Sequence, residues 1–433
     1  MKKYNYTFLF FGLSFVVLSQ SVLTIDDAIK IGLEKNYAVL ISKNEKEIAK
    51  AQNNFGNAGM SPVVSLNANV SLSTVNSYQE FNTGAVQDRN GAQSNNTGAS
   101  ANVTWMVFDG LKMFAIKKRL NQSVKLSELE LKQQMENTIY DIISAYYSVV
   151  KINELIKAAK QNLVSYQERK KIAQLKFDIG SDSKVDVLLS QLNENKAKST
   201  ILQLNLQLID AKSSLNNLLN KSVDTDFMTS DSIVVNYNPA MEELKKSVLK
   251  SNSSILISRQ NELIVSQTVK EARSTNLPFV QLNAAYVYNR NQSQAGFVFL
   301  NQQSGINTGL TAGWLLFNGN KNNKLIKERN ILYLNQRYKT EFIQQQIDAQ
   351  VFNSYKSFQL NKEIMELELQ NLKDSKEVLN VSLERYKVGK ANLLETIETQ
   401  KNLEEAQTRY MEALYSIKIA EADLLRANGS LIK

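Results

Sequence analysis

The chain has 433 residues, with 51 Lys and Arg against 42 Asp and Glu, so its formal charge is +9. It contains neither cysteine nor histidine, which excludes disulfides, thiol catalysis, cysteine-based metal sites and any triad with a histidine base. The two signs of charge mix along the chain, and no basic stripe with interleaved aromatics occurs. The charge therefore predicts a solvated helix surface and no nucleic-acid binding.

The N-terminus has the features of a secretory signal, which we assign to residues 1–21. Two lysines precede a short apolar stretch from Phe8 to Leu18, and Ser19 and Ser21 offer small residues for cleavage. The alternative is a membrane anchor, but the apolar stretch has about half of the ~20 residues that a spanning helix needs. We therefore expect an exported protein.

Two sequence blocks recur at a constant separation of 209 residues. Trp105-Met-Val-Phe108-Asp-Gly110 returns as Trp314-Leu-Leu-Phe317-Asn-Gly319, and Phe177-Asp-Ile-Gly180 returns as Tyr386-Lys-Val-Gly389. A constant shift over so long a stretch indicates a duplication. We assign the first repeat to residues 22–220, a polar linker to 221–240 and the second repeat to 241–433.

Each repeat is expected to begin with a helix, from Ile25 to about Phe55 and from Met241 to about Ser274. A proline then ends the helical region and opens a strand, because proline cannot continue a helix. The chain contains only three prolines and 16 glycines, so the elements between these boundaries are predicted to be long.

Two alternating strands follow in each repeat. In the first repeat, one face of the first strand carries Val64, Leu66, Ala68, Val70 and Leu72, and one face of the second carries Ala101, Val103, Trp105 and Val107. In the second repeat, the corresponding faces carry Val280, Leu282, Ala284, Tyr286 and Tyr288, then Ile306, Thr308, Leu310, Ala312, Trp314 and Leu316. One apolar and one polar face suit a wall between lipid and a watery lumen. A soluble sandwich with one buried face is the alternative. The joining segments, Tyr78 to Gly98 and Asn291 to Gly305, are expected to be long loops.

Aromatic residues recur at the end of the second strand in both repeats: Trp105 and Phe108, then Trp314 and Phe317. Membrane barrels place aromatics at strand ends to mark the lipid headgroup level. Core packing is the commoner explanation for a single aromatic, but the recurrence favours a membrane interface.

A stretch of about 68 residues without proline follows each pair of strands, from Gly110 to about Phe177 and from Gly319 to about Tyr386. As a helix, each would extend roughly 100 Å. Apolar residues at coiled-coil spacing indicate that such helices pack on one another: Met365, Leu369, Leu372, Leu379, Leu383 and Tyr386.

Both long helices are predicted to end in a tight turn at a glycine, Gly180 or Gly389, because glycine accepts the left-handed conformation of a helix C-terminus. Ser181 or Ser183, and Asn392, are candidate caps of the helices that return to about Leu219 and Leu424. We refer to the two turns as the tips.

These duplicated strands and tips resemble the TolC family of outer-membrane efflux proteins, from Thr24 to Gly429. The resemblance implies an α+β membrane protein made of duplicated strand–long-helix hairpin repeats. Each subunit of a homotrimer would give four strands to a 12-stranded β-barrel, which a long α-helical tunnel continues through the periplasm of a Gram-negative bacterium. It also implies three kinds of partner: outer-membrane lipid, a periplasmic adaptor (membrane fusion protein) and an inner-membrane transporter.

The resemblance also implies roles for tip residues. Glu395 and Glu398 match acidic residues that line the narrowest point of the tunnel, whereas ordinary helix-surface carboxylates are the alternative. Asp186 and Tyr386 match residues that tie the closed tip, although Ala391 stands where some members carry a basic residue. The adaptor-binding positions are Ile179, Gly180, Val388 and Gly389.

The predicted function is a passive exit duct of a tripartite efflux or type I secretion system. The sequence has no G-x-x-x-x-G-K-[ST] phosphate loop, so we expect energy to come from partners, with no enzymatic activity, cofactor or metal. An exported coiled-coil structural or adhesive protein is the alternative; it accounts for the helices but not for the paired amphipathic strands.

Overall fold

The computed structural model describes residues 22–230, 233–235, 237 and 239–432, so the predicted signal peptide lies outside the described residues. The chain divides into two compact units that each draw on both repeats. The hairpin unit comprises the described residues of Met1–Leu40, Met135–Leu244 and Val351–Lys433. The sheet unit comprises Ile41–Gln134 and Lys245–Gln350.

The elements follow the same order in both repeats. The first repeat contains β1 Val22–Leu23, α1 Ile25–Lys35, α2 Tyr37–Gln52, β2 Val63–Glu80, β3 Val86–Phe108, α3 Lys112–Asp178 and α4 Lys184–Leu218. After β4, Met228–Thr229, the second contains α5 Met241–Ser251, α6 Ser253–Ser274, β5 Phe279–Ser293, β6 Leu300–Gly313, α7 Lys321–Lys387 and α8 Leu393–Ala427.

The duplication is visible in the helix bounds. Helices α3 and α7 have 67 residues each, α4 and α8 have 35 each, and both pairs are displaced by the 209 residues that separate the sequence blocks. The predicted heptad residues of α7 are all buried or half-buried, which confirms the coiled-coil spacing. None of the helices in the described part of the chain is apolar over a length sufficient to cross a membrane.

The single helix expected at the start of each repeat is in fact two helices. Asn36 and Asn252 take extended backbone conformations at the breaks. The side chain of Asn36 accepts a hydrogen bond from the backbone N–H of Ala38 at 2.9 Å, and that of Asn252 accepts from Ile255 at 3.1 Å. Asparagine competes with the helix for backbone donors in this way, and helical periodicity on both sides of the break conceals it.

The four long strands form one antiparallel sheet in the order β2-β3-β5-β6. The expected long loops are wrong, because the strands continue through these polar segments and leave only residues 81–85 and 294–299 as connections. Ladder hydrogen bonds between backbone groups need no apolar side chains, so Glu80 still pairs with Val86 at the end of the first hairpin.

The strand ends differ between the repeats. Strand β3 ends at Phe108, as predicted, whereas β6 ends at Gly313, so Trp314 and Phe317 follow the strand rather than close it. The ring of Phe279, the register partner of Gly313, lies where a Cβ at Gly313 would stand, so a side chain at this last strand residue would displace that ring.

The hairpin unit has a core of its own, where α1, α3 and α4 meet the region predicted as a linker. Ile142, Tyr146 and Leu215 are fully buried there with Phe227. Within that region β4 pairs in parallel with β1, and the Tyr146 hydroxyl donates to the carbonyl of Leu23 at 2.9 Å.

Candidate functional site: the helical tips and the exposed sheet

The long helices end at the predicted glycines. The backbone φ angles of Gly180 and Gly389 are 76° and 75°, the left-handed region where a side chain would be strained. The N–H of Gly180 donates to the Phe177 carbonyl at 2.9 Å, and that of Gly389 to the Tyr386 carbonyl at 3.1 Å. These bonds satisfy helix-end carbonyls and reverse the chain within a few residues.

The returning helices begin at equivalent caps. Ser183 caps α4 and Asn392 caps α8, whereas Ser181 instead donates its N–H to the carbonyl of Lys176. Asp186 completes a capping box, because its carboxylate accepts from the N–H of Ser183 at 3.1 Å and from its hydroxyl at 2.9 Å. Asp186 thus organises its own helix start.

Each tip presents one exposed apolar side chain beside its glycine. Ile179 is 79% exposed and Val388 is 68% exposed. An isolated exposed apolar residue is ordinary, but these two stand at matching positions of two turns that no other described residue covers. The adaptor-binding role of Ile179, Gly180, Val388 and Gly389 stays a prediction.

Tyr386 is buried where the two hairpins meet, at 1% exposure. Within the described chain its hydroxyl donates to the carboxylate of Asp182 at 3.2 Å rather than to Asp186, whose tip-closing role stays a prediction. Burial, followed by the negative charge of Asp182, raises the pKa of Tyr386, which keeps the phenol protonated as a donor. The ammonium of Lys176 donates to the Tyr386 carbonyl at 2.9 Å and stands 3.9 Å from the ring centroid.

The two glutamates proposed for the constriction have different surroundings in the described chain. Glu395 accepts a hydrogen bond from the guanidinium of Arg385 at 2.9 Å, and Glu398 is exposed. Arg385 also donates to the carbonyl of Lys390 at 3.3 Å, so it spans the second tip. Arg385, six residues before Ala391 and on the other side of the turn, thus places a positive charge beside Glu395.

Sequence reasoning missed a buried polar cluster just above the tips. Arg169 of α3, at 1% exposure, donates to the Thr396 carbonyl at 3.2 Å and to the Gln400 side-chain oxygen at 3.1 Å, both in α8. Glu404 joins the cluster by accepting a hydrogen bond from the side-chain amide of Gln400 at 3.3 Å, and the ring of Tyr166 lies 5.0 Å from the guanidinium of Arg169. A signal existed: Tyr166 and Arg169 share a face with the buried Ala173, at helical spacing.

The sheet unit carries a sheet whose edge strands are exposed on both faces. Every residue of β2 except Ser77 is exposed, as is every residue of β6 except Gly313. Register places apolar residues of the four strands in shared rows, one of which is Leu66, Ala101, Tyr286 and Ile306. Leu66 is 82% exposed and Ile306 is 74% exposed, so an apolar face of this sheet has no cover within the described chain.

The two tryptophans make the same hydrogen bond in both repeats. The indole N–H of Trp105 donates to the carbonyl of Met60 at 2.9 Å, and that of Trp314 donates to the carbonyl of Asn276 at 3.0 Å. Both acceptors lie two residues before the proline that opens the first strand of the pair. Each tryptophan therefore links the end of the second strand region to the segment just before the first strand of the same pair. Trp105 is 40% exposed and Trp314 is 61% exposed.

Comparisons with known proteins agree with this geometry. The sequence model of the family described as "Outer membrane efflux protein" matches residues 32–221 and 244–430. The chain is 19% identical over 329 residues to the outer membrane efflux protein BepC of Brucella suis biovar 1 (strain 1330), covering 75% of this chain and 70% of that protein. It is 19% identical over 355 residues to the outer membrane protein TolC of Escherichia coli (strain K12), covering 80% and 72%.

Among solved structures, the outer membrane protein VceC of Vibrio cholerae superposes with a TM-score of 0.77 at 14% identity, covering 94% of this chain and 96% of that chain. The resemblance found in the sequence and the duplicated fold are thereby confirmed. The matched family is one of outer-membrane channels, in agreement with the expectation that the chain is not an enzyme. The chain belongs to the outer membrane efflux protein family, and its place is the outer membrane of a Gram-negative bacterium.

Proposed function

We propose that three copies of this chain form an exit duct, in which a shared 12-stranded barrel crosses the outer membrane and the helices form a tunnel in the periplasm. The observation that carries the proposal is the four-stranded sheet, whose edge strands β2 and β6 are exposed on both faces. Free edges of 18 and 14 residues are a liability unless they pair, and four strands cannot close on themselves.

Register supports the assignment of the two faces of the sheet. The row of Leu66, Ala101, Tyr286 and Ile306 would face lipid, and the row of Asn69, Gly98, Asn289 and Gln303 would face the lumen. The aromatics Trp105, Phe108, Trp314 and Phe317 would then lie at the membrane interface nearest the helices. Lipid is thus the partner that covers the apolar face.

At the second helical tip, Glu395 and Glu398 would form two rings of three carboxylates at the narrowest point of the tunnel. Such rings attract cations and repel anions. The hydrogen bond between Tyr386 and Asp182 would hold the tip closed, while Asp186 keeps the start of α4 in place.

The tips themselves would bind a periplasmic adaptor (membrane fusion protein) that couples the duct to an inner-membrane transporter of an efflux or type I secretion system. Ile179 and Val388 offer exposed apolar side chains beside Gly180 and Gly389. A small apolar contact on a rigid turn suits reversible binding between rigid helical surfaces.

The decisive experiment extracts the full chain from outer membranes, measures its mass in detergent and records currents in planar bilayers. We expect a trimer recovered only with detergent and a conducting pore. Recovery of a soluble monomer without detergent would contradict the proposal and favour a structural coiled-coil protein. Cross-linking of a cysteine at Ile179 to co-expressed adaptors tests the docking role, with the exposed Leu202 of α4 as the control position.

A further inference from the structure

The buried Arg169 is bonded to the turn of α8 that carries the proposed constriction. Its guanidinium donates to the carbonyl of Thr396, the residue after Glu395, and to the side chain of Gln400, one turn further on. Both bonds join the first repeat to the second, because Arg169 belongs to α3. The position and rotation of the Glu395-bearing turn thus depend on a group outside its own hairpin.

The acceptors of Arg169 are neutral, which is unusual for a buried cation. A backbone carbonyl and an amide oxygen receive two of its five donors, and its Nε atom is buried without a hydrogen-bond partner in the structure. The ring of Tyr166 lies 5.0 Å from the guanidinium. The nearby carboxylate is Glu404, and burial raises its pKa, which disfavours the charged form that would neutralise Arg169 best.

Such a contact determines where the α8 turn lies more than it stabilises the fold. A buried cation without a charged partner has a large desolvation cost, and an apolar side chain of similar volume commonly serves stability as well or better. The same guanidinium would be solvated fully if the helices separated. The packing of α3 against α8 therefore holds the α8 turn at one defined place without making its release strongly unfavourable.

The second repeat lacks this device. The residue 209 positions after Arg169 is Val378, which is 53% exposed in the chain. The counterparts of Thr396 and Gln400 are Val187 and Gln191, and Gln191 donates its side-chain amide to Asn195 on its own helix. Among the described residues, Arg169 in the contact of α3 with α8 is the one buried arginine, and α8 is also the helix that carries both glutamates.

We propose that Arg169 is a positioning residue of the gate, which fixes the α8 turn bearing Glu395 and Glu398 against α3 in the closed tunnel. The inference rests on the proposed duct function. Loss of the guanidinium would let this turn shift, so the closed channel would conduct more and select less between cations and anions. The trimer and its barrel would remain assembled, because neither depends on this contact.

The test compares the full-length wild-type trimer with Arg169→Met in planar bilayers. Methionine keeps much of the length and apolar volume of the arginine but has no donors. Gln400→Leu removes one acceptor and leaves Arg169 in place, and Lys171→Met is the control for loss of a positive charge on an exposed position of the same helix. The thermal midpoint of each trimer is measured in parallel.

A second readout does not require conduction. Since the chain has no cysteine, spin labels attach only at introduced positions, here Glu168→Cys on α3 and Leu394→Cys on α8. Both positions are exposed in the described chain. The distance distribution between the labels reports directly whether the α8 turn is held against α3.

We expect Arg169→Met and Gln400→Leu to raise the conductance roughly threefold or more, to weaken cation selectivity and to broaden the label distances, while Lys171→Met changes none of these. Wild-type conductance, selectivity and label distances in Arg169→Met would overturn the proposal, whatever its thermal midpoint. If Arg169→Met does not assemble, the same three measurements on Gln400→Leu decide. A wild-type trimer that conducts no ions contradicts the duct function, and the label distances then judge the position of the turn by themselves.

Discussion

The ammonium of Lys170 lies 2.9 Å from the carboxylate of Glu194, across the hairpin of α3 and α4. A second ammonium, that of Lys198, lies 2.6 Å from the same carboxylate, whose side chain is only 7% exposed. In the second repeat these two positions, 209 residues on, carry Leu379 and Leu403, and both leucines are buried. Equivalent places in the two hairpins are thus filled by an ion pair and by an apolar pair.

This difference predicts acid sensitivity at this place in the first hairpin and none at the equivalent place in the second. Hydrogen bonds from Lys198 and Lys170 lower the pKa of Glu194 from 4.5 to about 2. A carboxylate with a depressed folded-state pKa stabilises the fold above its unfolded value, near pH 4.5, and this contribution disappears as the pH falls toward 2. We expect Glu194 to contribute about 1–2 kcal/mol to the free energy of unfolding at neutral pH. This is less than the pKa difference alone would give, because solvent screens the partly exposed ammonium groups.

The measurement is the thermal midpoint of the trimer in detergent at pH 7 and at pH 3. The double variant Lys170→Leu, Glu194→Leu should lose part of the midpoint drop between these two conditions, because it copies the apolar pair of the second repeat. Glu154→Gln is the control, since Glu154 pairs with Lys157 on an exposed helix face where ion pairs contribute little. Equal pH dependence in the double variant and in the wild type contradicts the prediction.

Tyr386 gives a prediction about which acid closes the tip. The hydroxyl of Tyr386 donates to Asp182, so Tyr386→Phe and Asp182→Asn should each weaken the closed state, by about 1 kcal/mol, and the double variant should cost little more than either. Leakage of ions through the closed channel is the readout. Asp186→Asn should act differently, because its loss disturbs the start of α4.

The two roles separate in a hydrogen-exchange experiment on the same proteins. Asp186→Asn should speed exchange of the first-turn amides of α4, whereas Asp182→Asn should leave them protected. An additive effect of Asp182→Asn and Tyr386→Phe on leakage contradicts the assigned pair. In that case Asp186 regains its place as the candidate partner of Tyr386.

The tryptophans predict matched effects in the two repeats. Trp105→Phe and Trp314→Phe keep an aromatic ring but remove the indole N–H that bonds the carbonyls of Met60 and Asn276. Each change should lower the stability of the trimer by about 0.5–1.5 kcal/mol, which is measured as faster unfolding of the heated trimer in detergent. Phe317→Leu is the control, because this exposed ring has no N–H to lose. A change confined to one of the two tryptophans contradicts equivalent roles.

The sequence predicted the features that follow from periodicity and repetition. The bounds of α3 and α7 were expected within about two residues, since long apolar periodicity and a glycine with a positive φ define both ends. The break at Asn36 was not predicted because helical patterns continue on both sides of it. The full length of the strands was not predicted, because backbone pairing sets that length. Alternation of polar and apolar side chains marks only the part of a strand that faces an apolar medium.

The site was only partly predictable, for a related reason. Gly180, Gly389 and the cap Asn392 depend on local backbone chemistry, which sequence encodes directly. The partner of Tyr386 and the buried state of Arg169 depend on how two hairpins more than 200 residues apart in sequence pack. No local pattern distinguishes Asp182 from Asp186, because both lie within the first tip.

The proposed constriction gives the last prediction. The double variant Glu395→Gln, Glu398→Gln removes two charges per chain, or six from a threefold pore, so cation selectivity should fall strongly while the pore still conducts. Glu395 also accepts from Arg385, and the neutral variant leaves that guanidinium charged, which should push the selectivity further toward anions. The reversal potential in a salt gradient measures this change directly.

Single variants order the two glutamates within that site. Because Glu395 is already compensated by Arg385 whereas Glu398 is exposed, Glu398→Gln should reduce cation selectivity more than Glu395→Gln does. Glu405→Gln is the matched control: it lies on the same helix and is exposed, but stands two turns further from the tip. Selectivity that stays unchanged in the double variant removes both residues from the constriction, since six lost charges at the narrowest point of a pore must alter its ion preference.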